Sequence, residues 1–159
     1  MKIFKSVKAI IYRDDGKILM QRRDLNQNIP YGGRWTFFGG AVKTKEKLKQ
    51  ALKRELKEEL NYSPISIKSK IFEWTWIQKN KKDLNYFYPI HCKNNTKFNT
   101  LNEGLEMKWF SPKNFLYYLT TPDIYENFNK ICKFLIQKNY LASDFYNDSE
   151  NFMIKKNSI

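Results

Sequence analysis

The segment from Lys45 to about Leu60 constrains the fold of this chain more than any other. With positions placed at about 100° per residue, its apolar side chains fall on one stripe, which predicts an amphipathic helix. The stripe consists of Leu48, Ala51, Leu52, Leu56 and Leu60. Thr44 can cap the start of this helix, and Glu46 in the first turn suits the positive end of the helix dipole. Asn61 and Pro64 predict its end, because Asn tolerates a left-handed backbone and Pro forbids continuation.

Three glutamates share this helix with the leucines. Glu55 and Glu59 fall inside the apolar stripe, and Glu58 lies on its edge. Carboxylates directed towards the protein repel one another and resist desolvation, so they need raised pKa values or a cation. Arg54 can neutralise only part of this charge, and hard oxygen ligands with surplus negative charge favour Mg²⁺ or Mn²⁺. The alternative is a solvated helix face with i,i+4 salt bridges, but the position of Glu55 and Glu59 among the leucines argues against it.

Patterns in the rest of the chain predict further strands and helices. Val7–Tyr12 and Lys17–Arg22 flank an Asp-Gly turn signal and predict a hairpin. Strands are also predicted at Trp35–Phe38, Ile65–Ile77, Asn85–Cys92 and Glu106–Phe110, with a turn at Asn80–Asp83. A short helix is expected after Ser111-Pro112, and a longer one from about Asp123 to Lys138. These elements predict an α+β domain with helices packed around a mixed sheet.

The length of 159 residues fits one domain. We expect it to span residues 1–137, with residues 138–159 as a C-terminal extension or tail, because the end of the chain is polar with isolated aromatics. No run approaches the roughly 18 unbroken apolar residues of a membrane span. Lysines occupy the N-terminal positions where a signal peptide would need its apolar region, which predicts a cytoplasmic protein without a membrane partner.

Histidine and cysteine chemistry has little support. His91 is the only histidine and is expected at a strand end, while Cys92 and Cys132 lack the spacing of a zinc site and are too few for a disulfide framework. The net charge of +13 suits an anionic partner such as a phosphate or a nucleic acid. However, only five basic residues are arginines, and the lysines are scattered among asparagines, as a compositionally biased genome would produce. Both interpretations of the charge stay open.

A longer motif surrounds the glutamates. Gly40 is followed after five residues by Glu46, and after seven more by the run Arg54-Glu55-Leu56-Lys57-Glu58-Glu59-Leu60-Asn61-Tyr62. This arrangement resembles the Nudix box, in which a Gly and a Glu at the same spacing precede Arg-Glu-apolar-any-Glu-Glu-any-Gly-apolar. Every charged residue and every spacing is kept. Asn61 replaces the final glycine, and Phe38 replaces the proline often found before the glycine pair.

The resemblance covers Gly40 to Tyr62 and implies the Nudix fold, an α/β/α sandwich with a mixed central sheet, from about residue 3 to 137. It implies a pyrophosphohydrolase that depends on Mg²⁺, with Mn²⁺ as an alternative. The divalent cations would be held by the Gly39 carbonyl, Glu55, Glu58 and Glu59. Arg54 would orient these glutamates, and Glu46 would support them or cap the helix. The general base would be one of Glu55, Glu103 and Glu106, although the last two are equally well interpreted as solvated loop carboxylates.

The substrate implied by the resemblance is a nucleotide-like small molecule. The family's downstream marks for ADP-ribose, dinucleoside polyphosphates, coenzyme A and NADH do not stand out after Tyr62. This leaves a normal or modified nucleoside triphosphate, cleaved to the monophosphate and pyrophosphate, with nucleotide sugars as the alternative. The candidate substrate-binding residues are Arg22, Arg23 and Arg34 for phosphates, and Tyr31, Trp35 or Phe37 for stacking on a base. For Trp35 and Phe37, a position in the core is the alternative.

Two other classes of function stay open. A Nudix-fold domain can sense a nucleotide without hydrolysing it, but such domains typically lose box glutamates that this chain keeps. An RNA-binding module is suggested by the charge alone, since the sequence has no glycine–aromatic RNA-binding signature. The sequence does not distinguish a monomer from a homodimer.

Overall fold

The computed structural model of the chain describes residues 1–26, 28, 30–98, 101–113 and 118–143. The strands, numbered in chain order, are β1 Lys2–Arg13, β2 Ile18–Arg22, β3 Trp35–Thr36, β4 Phe72–Gln78, β5 Lys81–Cys92 and β6 Glu106–Phe110. The helices are α1 Leu48–Leu60 and α2 Pro122–Gln137. In this described part of the chain, neither helix has the length and apolar character needed to cross a membrane.

The strands form one mixed sheet. Its order is β3-β2-β1-β5-β4, and β6 also pairs with β2. Strands β1 and β5 run parallel, with Lys2 opposite Lys81 and Arg13 opposite Cys92. The other pairs are antiparallel, including the β1–β2 hairpin. The predicted mixed sheet and its first hairpin are therefore confirmed.

Alternation along β1 divides the core into two layers. Val7, Ala9 and Ile11 are fully buried on one face of the sheet, against the leucines of α1. Ile10 and Tyr12 point to the other face, where they pack with the buried side chains of α2. Because successive side chains of a strand point to opposite faces, one helix covers each face of the sheet. The α/β/α sandwich implied by the resemblance is confirmed.

Helix α1 begins at Leu48, three residues after the predicted start at Lys45. Lys45 has a left-handed backbone with φ of 65°. Glu46 lies in a turn, where its carboxylate accepts a hydrogen bond from the Lys43 N–H at 2.9 Å. The predictions of Thr44 as N-cap and of Glu46 in the first helical turn were wrong. Side-chain contacts of Glu46, described below, override the helix propensity of this stretch.

The end of α1 agrees with the prediction. Asn61 is left-handed, with φ of 49° and ψ of 34°, and its N–H donates to the Lys57 carbonyl at 3.1 Å. Helix α2 lies within one residue of its predicted bounds at each end, and β6 matches its prediction.

The predicted strand Ile65–Ile77 was too long at its start, because β4 begins only at Phe72. Upstream, the chain leaves the sheet, and Ile67 packs into the core on the α1 side. Ile65 is fully exposed, so the apolar alternation of this stretch corresponds neither to strand pairing nor to a continuous buried face. The turn predicted at Asn80–Asp83 lies earlier, at residues 79–80, since Gln78 pairs directly with Lys81.

Strand β3 is shorter than the predicted Trp35–Phe38 because the chain changes partner within that segment. Its first two residues pair with β2. Phe38 instead forms a bridge with Ala9 of β1. This change of partner lays Gly39 and Gly40 alongside β1.

The chain after α2 continues to pack on the domain as far as it is described. Leu141 is buried in the core on the α2 side, and the ring of Tyr140 stacks on Tyr12 with centroids 5.8 Å apart. Residues 144–159, which make up most of the predicted extension, lie outside the described residues. Of the short helix predicted after Ser111-Pro112, residues 112–113 form a 3₁₀ turn, and residues 114–117 also lie outside them.

Candidate active site

The glutamates of α1 differ in exposure in the order expected from the apolar stripe. Glu59 is buried, with 3% of its surface exposed. The Glu55 side chain is 14% exposed and that of Glu58 is 51% exposed. Two carboxylates therefore face the protein, and the third lies at the solvent edge.

Two neutral groups hold the Glu59 carboxylate. Gln21 Nε2 donates a hydrogen bond to one oxygen, and the Gly39 N–H donates to the other, each at 2.8 Å. Burial raises the pKa of Glu59 to about 7, although these hydrogen bonds and the charge of Lys8 act in the opposite direction. When the Glu59 carboxylate is ionised, its two neutral partners leave its negative charge uncompensated, and a bound cation would balance that charge.

Arg54 binds the other three acidic side chains of the motif. Its Nε and Nη2 donate to Glu46 at 2.9 and 3.0 Å. Its Nη1 donates to Glu55 at 2.6 Å and to Glu58 at 3.0 Å, while Nη2 also reaches the Ala41 carbonyl. The hydrogen bonds from Arg54 lower the pKa of Glu46 to about 2, and the same contact raises the pKa of Arg54. One guanidinium thus serves three carboxylates, which leaves this end of α1 with surplus negative charge.

Two glycines bring the backbone against these carboxylates. Gly39 has φ of 121°, and a Cβ there would lie 2.2 Å from the Val7 carbonyl oxygen. A Cβ on Gly40 would lie 2.7 Å from the carboxyl carbon of Glu55. Gly39 is therefore required by backbone conformation and by close approach to β1. Gly40 leaves the space that the Glu55 carboxylate occupies.

The carboxylates do not form a closed metal site as they stand. Within the described ranges, no three His, Cys, Asp or Glu side chains are grouped so that they could hold a metal ion. The reason is that Arg54 draws Glu55 and Glu58 towards itself while Glu59 points at Gly39. The chemistry of the donor set still fits Mg²⁺, which prefers carboxylate and carbonyl oxygens. The exposed Glu58 side chain has room to turn from Arg54 towards a cation.

The loop before β6 is anchored on the last turn of α1. The Asn102 N–H donates to the Glu59 carbonyl at 3.0 Å, and its side-chain amide donates to the Glu58 carbonyl at 2.6 Å. The next residue, Glu103, is exposed. This anchor places the candidate base Glu103 at the end of α1 that carries the carboxylates.

A cavity of about 360 Å³ opens beside the two glycines. Its lining includes Gly39, Gly40, Ala41 and Lys8. Trp74 and Trp76 of β4 form an aromatic wall, with ring centroids 5.7 Å apart and planes inclined by 30°. Tyr31 extends this wall, since its ring centroid lies 5.8 Å from that of Trp76. The volume falls near the lower end of the roughly 300–1,000 Å³ usual for small-molecule sites.

Asp123, in the first turn of α2, also lines the cavity. It is only 8% exposed, and its Oδ2 has no hydrogen-bond partner among the described residues. Leaving a buried acceptor unsatisfied costs about 1–3 kcal/mol, so such an atom needs an explanation. A hydrogen-bond donor on a ligand in the cavity would supply one.

The three arginines predicted to bind phosphates lie in different places. Arg23 lines the cavity, although its Nε donates to the Pro30 carbonyl at 3.0 Å. Arg22 donates to the Gly33 carbonyl, and its Nη1 lies 3.6 Å from the Glu106 carboxylate. Arg34 Nη1 reaches the Thr120 carbonyl at 3.4 Å. Of the three, only Arg23 borders the cavity, and Glu106 faces Arg22.

Trp35 and Phe37 lie in the core, which was the alternative to a role in stacking. Trp35 is 8% exposed, and its ring meets Phe110 edge-on at 4.7 Å. Phe37 is fully buried. The expectation that Trp35 contacts the substrate is corrected accordingly, because its ring is enclosed by other aromatic side chains.

Sequence reasoning assigned no role to Trp74, Trp76 or Asp123. The spacing of the two tryptophans was a usable signal, because residues two apart on a strand share one face. Asp123 follows Thr121-Pro122 and resembles an ordinary first-turn acid of a helix. Its burial depends on the packing of α2 against the sheet, which no local pattern reveals.

Comparison with known families establishes the class of protein. The protein-family model of the NUDIX domain matches residues 2–130, so this chain belongs to the Nudix family. It is a pyrophosphohydrolase of that family, which confirms the expectation from the motif. The curated proteins yielded no match.

Solved structures agree with this assignment. The MutT protein of Methanosarcina mazei is 24% identical over 86% of this chain and 95% of its own, with a TM-score of 0.70. The E. coli ORF135 protein is 30% identical over 77% of this chain and 83% of its own, with a TM-score of 0.61. The Ap4A hydrolase of C. elegans is 21% identical over 84% of this chain and 98% of its own, with a TM-score of 0.66. These likenesses support the Nudix fold.

Proposed function

We propose that this enzyme hydrolyses a nucleoside triphosphate to the monophosphate and pyrophosphate, with Mg²⁺ or Mn²⁺ as cofactor. The observation that carries the proposal is the continuity of the cavity. Gly39 and Gly40, the latter resting against Glu55, line the same space as the aromatic wall and Asp123. A polyphosphate bound beside the glycines and a base stacked on the aromatic wall would be two parts of one bound nucleotide.

The proposed metal ligands are the Gly39 carbonyl, Glu55, Glu58 and Glu59. A divalent cation bound there would lower the pKa of the attacking water and neutralise charge on the phosphoryl oxygens. The burial of Glu59 between neutral partners supports this role. Arg54, fixed by Glu46, orients Glu55 and limits the repulsion among the carboxylates.

We assign the general base first to Glu55, whose carboxylate rests on Gly40 at the edge of the cavity. Glu103 is the second candidate, because its loop is anchored on the end of α1. Glu106 suits the role less well, since it lies beside Arg22. A base must come within hydrogen-bond reach of the attacking water, directly or through one further water.

The cavity favours a base that carries an exocyclic amino group. Asp123 Oδ2 is a buried acceptor without a protein donor, and an amino group would satisfy it. The tryptophan wall offers flat faces for stacking, which is worth about 1–3 kcal/mol per base in nucleic-acid complexes. Adenine, cytosine and guanine carry such an amino group, whereas uracil and thymine do not.

The direct test is a hydrolysis screen with Mg²⁺, with Mn²⁺ and with EDTA. The substrates are the common and oxidised nucleoside triphosphates, ADP-ribose, a dinucleoside polyphosphate and nucleotide sugars. We expect a triphosphate with an amino-bearing base to be turned over fastest, with pyrophosphate as product. Preference for a nucleotide sugar over every triphosphate would move the enzyme to the alternative substrate class. Nucleotide binding without turnover of any substrate would indicate a sensing domain.

A further inference from the structure

Lys8 lies at the junction of the cavity and the carboxylates of α1. Alternation along β1 places Phe4, Ser6 and Lys8 on one face of the strand, and all three line the cavity. Val7 and Ala9, on the other face, are buried against α1. Lys5, on the same strand, also borders the cavity, but Lys5 is exposed whereas Lys8 is half-buried.

Backbone contacts fix Lys8 directly beside Gly39. The Val7 N–H donates to the Gly40 carbonyl at 3.0 Å. The Ala9 N–H donates to the Phe38 carbonyl at 2.8 Å. A Cβ on Gly39 would lie 3.2 Å from Lys8 Cα. The ammonium is also close enough to Glu59 for its charge to lower the pKa of that carboxyl. Lys8 is therefore positioned by rigid elements, β1 and the bridge to it.

The N–H donors of the Lys8 ammonium have no acceptor among the described residues. It is half-buried, and the described residues give it neither a hydrogen bond nor a salt bridge. Lys81, which also lines the cavity, differs because its Nζ lies 2.9 Å from Asp83. A lysine ammonium carries three donors and no acceptor, so an anionic ligand is the partner that suits it.

We propose that Lys8 binds the phosphate that joins the nucleoside to the rest of the substrate. The proposal rests on the function proposed above, in which the metal side binds the polyphosphate and the aromatic wall binds the base. The phosphate between these two regions would pass Lys8 and Gly39, which lie side by side in the lining. Lys8 then distinguishes a nucleotide from a nucleoside, and it does so without a metal. It is a binding residue and takes no proton in the reaction.

The test measures affinity by calorimetry with EDTA present, so that no divalent metal contributes. The probes are the matched pairs adenosine and AMP, cytidine and CMP, and guanosine and GMP. The variants are Lys8→Gln, Lys8→Arg and, as a control of equal charge change, Lys17→Gln on the exposed β1–β2 turn. One charge-assisted contact corresponds to about a 10- to 100-fold change in affinity.

We expect Lys8→Gln to weaken binding of the best monophosphate by that factor and to leave its nucleoside unaffected. Lys8→Arg should retain most of the affinity, and Lys17→Gln should match the wild type. Equal monophosphate affinity in wild type and Lys8→Gln would overturn the proposal, as would the absence of any wild-type preference for the monophosphate over the nucleoside. Equal loss for both members of a pair, with a lower melting temperature, would instead show that Lys8 only stabilises the fold.

Kinetics separates this inference from the proposed function. In steady state, Lys8→Gln should raise KM for the best triphosphate more than it lowers kcat, because the contact is made in the ground state as well. If the wild type hydrolyses no triphosphate but Lys8 still discriminates the monophosphates, the proposed function fails and the phosphate site stands. If hydrolysis is normal and Lys8→Gln changes neither KM nor affinity, the site fails alone.

Discussion

At the scale of single residues, Glu59 and Glu55 determine whether α1 is a catalytic helix. Both lie on the face that the leucines bury, where a carboxylate without a role would be selected against on desolvation grounds. Glu59 has neutral partners and Glu55 shares Arg54 with two other acids. Their charges therefore cost stability unless a cation or a substrate compensates for them.

Removing either charge while keeping the shape should abolish function and spare the fold. We expect Glu59→Gln and Glu55→Gln to lose at least ~10²-fold in turnover, the lower end for groups of this kind. At position 59 the amide oxygen can accept from the Gly39 N–H, and the Gln21 side chain can turn to accept from the new amide. Melting temperatures without metal should equal or exceed that of the wild type. Glu126→Gln, at an exposed position of α2, is the control. Unchanged turnover in both variants would contradict the assignment.

Asp123 should act on substrate selection and not on the chemical step. We expect Asp123→Ala to raise KM about tenfold for a triphosphate with an amino-bearing base, with kcat nearly unchanged, because one hydrogen bond to a carboxylate is lost. The free energy of unfolding should hold, because the substitution removes an acceptor, Oδ2 of Asp123, that has no partner in the free enzyme. The measurement compares KM for CTP and UTP in both proteins. An equal change for the two substrates would argue against contact with the base.

At the scale of elements, the segment between β3 and α1 brings its backbone against the carboxylates at two glycines. Gly39 is required by backbone conformation, whereas Gly40 only leaves room for a side chain. We expect Gly39→Ala to lower the melting temperature, because its φ and its contact with β1 exclude a Cβ. Gly40→Ala should fold normally, since the atoms it would meet are the flexible end of Glu55. Its turnover should nonetheless fall at least tenfold because that carboxylate is displaced. Thermal melts and rates of the two variants test this contrast, and a Gly40→Ala enzyme with full activity would refute it.

The same scale shows how much of the fold the sequence could reveal. The composition of α1, its C-terminal Asn61 and its inward glutamates were predictable because they are local patterns. The start of α1 was not, since Glu46 bonds to Arg54 eight residues away and thereby replaces the first helical turn. The cavity was also not predictable. Its walls come from β4, the start of α2 and the loop around Tyr31, and their meeting depends on long-range packing.

At the scale of the whole molecule, metal binding should be visible in stability as well as in activity. We expect EDTA to abolish hydrolysis and Mg²⁺ or Mn²⁺ to restore it. A ligand at about 100 times its Kd stabilises the folded state by about 2.7 kcal/mol, so Mg²⁺ should raise the melting temperature by several degrees. Glu59→Gln should lose this shift. Full turnover in chelator would exclude the proposed cofactor.

The proposed orientation of the substrate in the cavity also predicts which bond is cleaved. The glycines that contact the carboxylates and the aromatic wall line the same cavity, so in the proposed orientation a bound nucleotide would extend its phosphates from the wall towards α1. Glu55, Glu58 and Glu59, which would hold the cation, would then lie nearest the inner phosphates, and we expect water to attack an inner phosphorus instead of the terminal one. We expect a triphosphate to give the monophosphate and pyrophosphate, and a monophosphate to be inert. Hydrolysis in ¹⁸O-water should place the label in the monophosphate or in the pyrophosphate, as mass spectrometry of both products would show. Orthophosphate as the sole initial product would place the attack on the terminal phosphorus and contradict this orientation.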